Sequence, residues 1–108
     1  MNTGNKNQRK RRDRLYIIAE ILEIAKDGTL KTQIMYKANL SFSQLNEYLN
    51  FLVSLNLLEC KQAGGKTFYK TTEKGIKYLD NYKEMLQLLK NTKNNVKKLP
   101  INYINNLQ

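Results

Sequence analysis

Apolar residues recur at helical spacing near the start of the chain. From about residue 11, leucine and isoleucine return every three or four positions up to Ile24, which predicts a first helix. Gly28 follows as a residue that can end it. The next residues, 29–31, are too few for a firm assignment and are compatible with a small strand.

Two further helical segments lie close together between residues 32 and 56. We expect Thr32 to cap a short helix that ends at Asn39, a residue that tolerates the left-handed conformation. Ser41, with Gln44 three positions later, matches the capping-box pattern and predicts the start of a third helix. Its apolar stripe is expected to contain Phe42, Leu45, Leu49, Leu52 and Leu55, widened by Tyr48, Phe51 and Val53. The two helices and the turn between them have the size of a helix-turn-helix.

After Asn56 the pattern changes to that of two strands, predicted over residues 57–62 and 67–70. The Gly64-Gly65 pair between them supplies the positive φ angles that a hairpin turn requires. We call this hairpin the wing. The single cysteine, Cys60, cannot form an intramolecular disulfide, and we expect it to be a passive structural thiol, buried or nearly so.

The last helix is expected to be capped by Thr72 and to begin at Glu73. A helix continuing to about Leu99, just before Pro100, would exceed about 25 residues, which is typical of a coiled coil. Its far half would then need a second copy of the chain as its partner, and a membrane-surface role is the less favoured alternative. The heptad-spaced positions expected to form the dimer are Leu79, Tyr82, Leu86, Leu89 and Val96, within a stripe that also includes Ile76, Met85 and Leu88.

These patterns predict a mainly α-helical protein with a small β-hairpin, of class α+β. The expected organisation is a disordered basic arm over residues 1–10, a globular domain over 11–75, a dimerisation helix over 76–99 and a short tail over 100–108.

The charge of the chain points to a polyanionic partner. Nineteen Lys and Arg residues against nine Asp and Glu give a formal net charge of +10. Half of this excess lies in residues 1–14, where all the arginines are found. There is no histidine, and one cysteine cannot hold a metal cluster, so we expect neither catalysis nor a cofactor. We found no apolar stretch long enough to span a bilayer, and we expect a cytoplasmic, nucleoid-associated protein.

The order of predicted elements resembles that of small archaeal winged helix-turn-helix proteins that end in a coiled-coil dimerisation helix. This group includes ten-kilodalton chromatin-associated proteins and predicted transcription regulators. The resemblance covers about residues 11–98 and is carried by the segments at residues 31–41, 48–53, 57–59 and 69–75. It implies a homodimer, parallel or antiparallel, that offers the third helix to a major groove and lays the wing along the DNA backbone or minor groove.

Within that frame the candidate DNA contacts fall into three sets. The side chains suited to reading base edges are on the third helix: Ser43, Gln44, Asn46 and Asn50. The expected backbone contacts are Lys31, Thr32, Lys37, Lys61, Lys66 and Lys70, and the basic arm supplies Arg9, Lys10, Arg11, Arg12 and Arg14. For each set the alternative is an ordinary solvated surface.

Two other functions remain open. Glu47 on the third helix would repel phosphate. The alternative function is therefore a protein-interaction module that docks a transcription or replication partner. The aromatic residues could also form a stacking platform for single-stranded nucleic acid, although core packing is the favoured role for Tyr36, Tyr48, Phe51, Phe68 and Tyr69. No small-molecule ligand is indicated.

Overall fold

The computed structural model describes residues 13–91 of the chain. Helices α1 (Arg14–Ile24), α2 (Lys31–Ala38), α3 (Phe42–Ser54) and α4 (Glu73–Asn91) alternate with strands β1 (Thr29–Leu30), β2 (Leu58–Ala63) and β3 (Lys66–Thr71). The predicted order of elements is confirmed over this range. Several expectations lie outside the described residues, namely those for the arm over residues 1–10 and the two residues after it, for α4 beyond Asn91 including Val96, and for the tail from Pro100.

The ends of the helices are fixed by short-range hydrogen bonds. The Asp13 carboxylate accepts from the backbone N–H of Tyr16 at 2.9 Å and starts α1. The expected capping role of Thr32 is wrong, because α2 begins two residues earlier, at Lys31, with Leu30 at the cap position. There the Gln33 side chain accepts hydrogen bonds from the Thr29 hydroxyl and, at 3.5 Å, from the Leu30 N–H.

The turn between α2 and α3 has the local geometry that the sequence predicts. Asn39 ends α2 in the left-handed region at φ 55° and ψ 53°. Ser41 Oγ accepts from the Gln44 N–H and Gln44 Oε1 accepts from the Ser41 N–H, both at 3.1 Å, so the capping box is confirmed. These bonds set the direction in which α3 leaves the turn.

The sheet is antiparallel with strand order β1-β3-β2. Gly64 and Gly65, at φ 57° and 77°, form the turn of the wing. Cys60 pairs with Tyr69 across the wing, and the Cys60 side chain is exposed. The expected burial of Cys60 is therefore wrong, because the wing extends past the helices and Leu58 is the one buried residue of β2.

A single apolar core joins the helices to the sheet. The largest fully buried side chains are Ile21, Leu22, Ile34, Leu45, Leu49, Leu52 and Leu58. Thr71 is also buried, and its hydroxyl donates to the Leu22 carbonyl at 2.6 Å, which ties β3 to α1. The Thr72 Oγ1 accepts from the Gly75 N–H at 3.0 Å, which confirms the predicted cap of α4.

The apolar stripe of α3 is wider than the surface that covers it. Phe42, Phe51 and Leu55 were expected to face the core but are 61%, 50% and 40% exposed. Tyr36 on α2 is 78% exposed, so the expectation that it packs in the core is also wrong. Since the core contacts one narrow face of each helix, residues at the edges of the stripe remain in solvent.

Candidate nucleic-acid interface

Helix α3 presents a polar ridge on the side opposite its buried leucines. Ser43, Glu47, Asn50 and Ser54 recur at intervals of four, three and four residues, and all are exposed. This spacing places them in one row along the helix. We call this row the α3 ridge. Ser54 was absent from the residues suggested by the sequence, although its spacing of four residues from Asn50 was a signal that could have included it.

The proposed base-reading residues divide between the ridge and its flanks. Ser43 and Asn50 lie on the ridge, whereas Asn46 is half-buried on one flank. Gln44 is exposed on the other flank, and its carbonyl oxygen already accepts the capping bond from Ser41. A two-point contact of Gln44 with adenine would compete with that cap.

The register of the wing brings its three lysines to one face. Directly opposite residues of an antiparallel pair share a face, and the pairs Glu59↔Lys70, Lys61↔Phe68 and Ala63↔Lys66 alternate with the pairs on the face that carries the buried Leu58 and Thr71. Lys61, Lys66 and Lys70 are all exposed on this outer face. Glu59 lies opposite Lys70 and offsets part of its charge.

The two lysines of α2 lie in different surroundings. Lys31, the first residue of the helix, places its Nζ 4.6 Å from the centroid of the Phe42 ring, a cation–π contact with the start of α3. Thr32 is exposed in the same turn. Lys37, near the other end of α2, lines a groove between α1 and α4 together with Glu20 and Glu23. Lys83 lines the same groove and is the lysine that pairs with Glu23.

The described end of the basic arm lies beside α3. Arg14, the first residue of α1, lines a cleft of about 340 Å³ whose opposite wall is formed by Gln44, Glu47, Tyr48 and Phe51 of α3. The arm therefore joins the folded domain next to the α3 ridge, where the Arg14 charge shares a cleft with the carboxylate of Glu47.

The proposed dimerisation residues occupy a gradient of exposure along α4. Leu79 is 2% exposed and belongs to the core of its own chain. Tyr82 stacks on Tyr78 with 6.3 Å between ring centroids. Tyr82 and Leu86 line the apolar groove of about 360 Å³ between α1 and α4, and Leu89 is half-buried.

Electrostatic contacts join α1 to α4 beside this groove. Lys83 Nζ lies 3.0 Å from Glu23 Oε1, and this hydrogen bond lowers the pKa of Glu23 below its ordinary value. The Tyr78 hydroxyl donates to the Leu15 carbonyl at 3.0 Å. Burial, followed by the nearby Tyr82 and Asp13, raises the pKa of Tyr78 to about 12. These groups hold α4 against α1, and none of them lies on the α3 ridge.

Within residues 13–91, no helix is both long and apolar enough to cross a membrane. Over the same part of the chain, no three metal-ligating side chains of His, Cys, Asp or Glu cluster together.

The fold defines a helix-turn-helix, α2 and α3, followed by a β-hairpin wing. The model of the winged helix-turn-helix family matches residues 11–90, and the chain belongs to that family.

Two relatives come from the archaeon Methanocaldococcus jannaschii. One uncharacterized protein is 34% identical over 89 residues, which cover 82% of this chain and 88% of that protein. A second uncharacterized protein is 34% identical over 80 residues, which cover 73% of this chain but 36% of that longer protein.

Solved structures share the fold at lower identity. The DNA-binding protein Sso10a-2 from Sulfolobus solfataricus superposes with a TM-score of 0.71 at 24% identity, covering 81% of this chain and 92% of that one. A PadR family transcription regulator from Clostridium difficile gives a TM-score of 0.65 at 20% identity, covering 75% and 97%. MepR, a transcription regulator of a Staphylococcus aureus multidrug efflux pump, gives 0.66 at 13% identity, covering 95% and 77%.

Proposed function

We propose that this protein binds double-stranded DNA as a homodimer and acts as a transcription regulator or a chromatin-associated protein. The α3 ridge would enter the major groove, and the wing and the basic arm would lie on the backbone or in the minor groove. The observation that carries the proposal is the polar α3 ridge together with three lysines on the outer face of the wing. The names of Sso10a-2, the PadR family member and MepR support the same function.

In this proposal, specificity and affinity come from different elements of the domain. Helix α3 contains no lysine or arginine, so its ridge offers hydrogen-bonding groups and the carboxylate of Glu47. Phosphate contacts must then come from neighbouring elements, and such contacts position a protein without reading sequence. The described residues that fit this role are Lys31 and Thr32 at the start of α2 and Lys61, Lys66 and Lys70 in the wing. Lys37, at the α1–α4 groove and away from the wing, would contribute least.

The basic arm supplies the rest of the positive charge. Arg9, Lys10, Arg11 and Arg12 directly precede Asp13 and Arg14, and Arg14 lies in the cleft beside α3. An arm joined at this point can reach the phosphates or the minor groove that flank the site of α3.

The salt dependence of binding tests the role of the wing. Each neutralised phosphate changes the slope of log K against log salt by about 0.9 for duplex DNA. The double variant Lys61→Ala/Lys66→Ala should therefore weaken binding and make the slope about 1.8 shallower. The matched control Lys77→Ala/Lys90→Ala removes the same charge from exposed positions on α4 and should leave the slope unchanged. Equal slopes for the two double variants would exclude the wing from the interface.

Homodimerisation along α4 is the second part of the proposal. Leu86 and Leu89 continue the apolar stripe beyond the part of α4 that the core covers, and Leu86 borders the groove beside α1. A second copy packing there would remove this apolar surface from water. Leu79 is already buried in its own chain, so it would hold α4 against the core and would not face the partner.

Light scattering tests the dimer with two variants that make the same chemical change. Leu86→Asp places a charge in the groove and should yield a folded monomer. Leu88→Asp makes the same change at a position that is off the heptad spacing, on the side of α4 away from Leu86, and should leave the dimer intact. A monomeric wild-type chain at the concentrations used for DNA binding would contradict this part of the proposal.

A protein-interaction module remains the second candidate because Glu47 stands in the middle of the α3 ridge. The quadruple variant Arg9→Ala/Arg11→Ala/Arg12→Ala/Arg14→Ala separates the two functions. It should weaken duplex binding strongly if DNA is the partner, because up to four phosphate contacts are lost. An unchanged affinity for DNA in that variant would favour the docking of a protein.

A further inference from the structure

Phe42 is a large, exposed apolar side chain on the helix that carries the polar α3 ridge. It is the first residue of α3, directly after the cap Ser41, and it is 61% exposed. Single exposed apolar residues are common on proteins and need no special explanation by themselves. Phe42 differs because the Lys31 ammonium lies 4.6 Å from the ring centroid, a cation–π contact that joins the ring to α2.

The position of Phe42 is the one from which a helix-turn-helix reads bases. The N-terminal residues of the recognition helix contact base edges, while the preceding helix crosses the sugar-phosphate backbone. Phe42, Asn46 and Asn50 follow one another at intervals of four residues and form a row that meets the ridge at Asn50. Lys31 begins the preceding helix, α2, and so its charge lies where a phosphate would pass.

The major groove offers a phenyl ring one apolar feature, the 5-methyl group of thymine. A polar side chain at the same position would instead form hydrogen bonds with amino and carbonyl groups of the bases. A lysine on the other face of the ring can bind phosphate and fix the ring at once, because its ammonium has three donors and the ring accepts none of them strongly.

We propose that Phe42 contacts the 5-methyl group of thymine in the major groove and that Lys31 binds the adjacent phosphate while it holds the ring in place. This proposal rests on the proposed function, since it names a base feature that α3 recognises. It makes Phe42 a specificity-determining residue and adds an apolar contact to the polar ridge.

The experiment removes the methyl group from the DNA and the ring from the protein. The full chain is titrated by fluorescence anisotropy with a duplex of alternating adenine and thymine, and with the same duplex carrying uracil for thymine. The wild type should bind the uracil duplex about fourfold more weakly for each methyl group contacted, the value of one buried methyl. Phe42→Ala should bind both duplexes equally, and Phe42→Leu should keep part of the preference.

Phe51→Ala is the matched control, because it removes a half-exposed phenyl ring from the opposite flank of the same helix. This variant should retain the preference for thymine. Equal binding of the wild type to both duplexes would overturn the inference and leave DNA binding intact. A preference for thymine that persists in Phe42→Ala would assign the contact to another residue and would also overturn it. A failure of the wild type to bind any duplex would refute the proposed function itself.

Discussion

Gly75 lies in the first turn of α4. Its replacement by alanine has two opposing effects on stability. In an exposed helix, Gly→Ala stabilises by about 1 kcal/mol because alanine loses less backbone entropy on folding. Gly75 is buried, and a Cβ added to it would overlap the carbonyl oxygen of Leu57 and would lie 2.5 Å from Thr71 Cγ2. Neither neighbour is the end of a flexible side chain.

The free-energy cost of the added methyl group depends on the hydrogen bonds that its two neighbours make. The Leu57 carbonyl accepts a hydrogen bond from Thr72 N at 3.1 Å, and the Thr71 hydroxyl donates to the Leu22 carbonyl at 2.6 Å. Overpacking costs about 1–3 kcal/mol, and weakening either hydrogen bond adds about 1 kcal/mol. After the gain in helix propensity, we expect Gly75→Ala to destabilise the protein by about 2 kcal/mol.

Urea unfolding followed by circular dichroism measures this change. Since m-values of small domains are about 1–3 kcal/mol/M, the midpoint should fall by about 1 M at equal protein concentration. Thr71→Ser removes the crowded methyl but keeps the hydroxyl, so the double variant should recover part of the loss, about 1 kcal/mol of coupling. A midpoint for Gly75→Ala at or above that of the wild type would refute the packing described here.

Three further predictions follow from local contacts. Ser41→Ala should destabilise the fold by about 1 kcal/mol in urea unfolding, because the Gln44 N–H loses its cap; no change would show that the capping box is dispensable. Tyr78→Phe should remove the tyrosine with a pKa of about 12 from an absorbance titration. Because folding raises that pKa, the wild type should lose stability relative to the variant as pH rises from about 10 to 12. Glu23→Gln should cost about 0.5 kcal/mol or less at neutral pH, since the pair with Lys83 is half-exposed and screened. Folding lowers the pKa of Glu23, so the wild type should be more stable than Glu23→Gln above pH 4.5 and should lose this difference as pH falls through the lowered pKa. A difference in stability that persists in acid would have another cause.

The features that sequence predicts well here are those decided within a few residues. The left-handed Asn39, the Ser41–Gln44 box and the Gly64-Gly65 turn each depend on φ angles and hydrogen bonds between near neighbours. The residue type therefore carries enough information to place them. The outer face of the wing also follows from the alternation of side chains once the turn is known.

The features that sequence could not place depend on how far one element covers another. Phe42 and Phe51 belong to the apolar stripe of α3 by spacing, yet the core covers the middle of that stripe and leaves its edges exposed. Lys37 resembles the other lysines in sequence but lines the groove between α1 and α4. The tight fit of Gly75 against Leu57 arises from a contact between the end of α3 and the start of α4. Such relations require the packing angles of the helices.

The central claim is binding to duplex DNA, and a competition titration measured at several salt concentrations tests it most directly. A labelled DNA duplex bound to the full-length chain is displaced by unlabelled DNA duplex, RNA duplex or single-stranded DNA of equal length. We predict that duplex DNA competes best and that affinity falls steeply and linearly with log salt, because neutralised phosphates release counterions. RNA or single-stranded DNA competing better than duplex DNA, or an affinity independent of salt, would contradict the account.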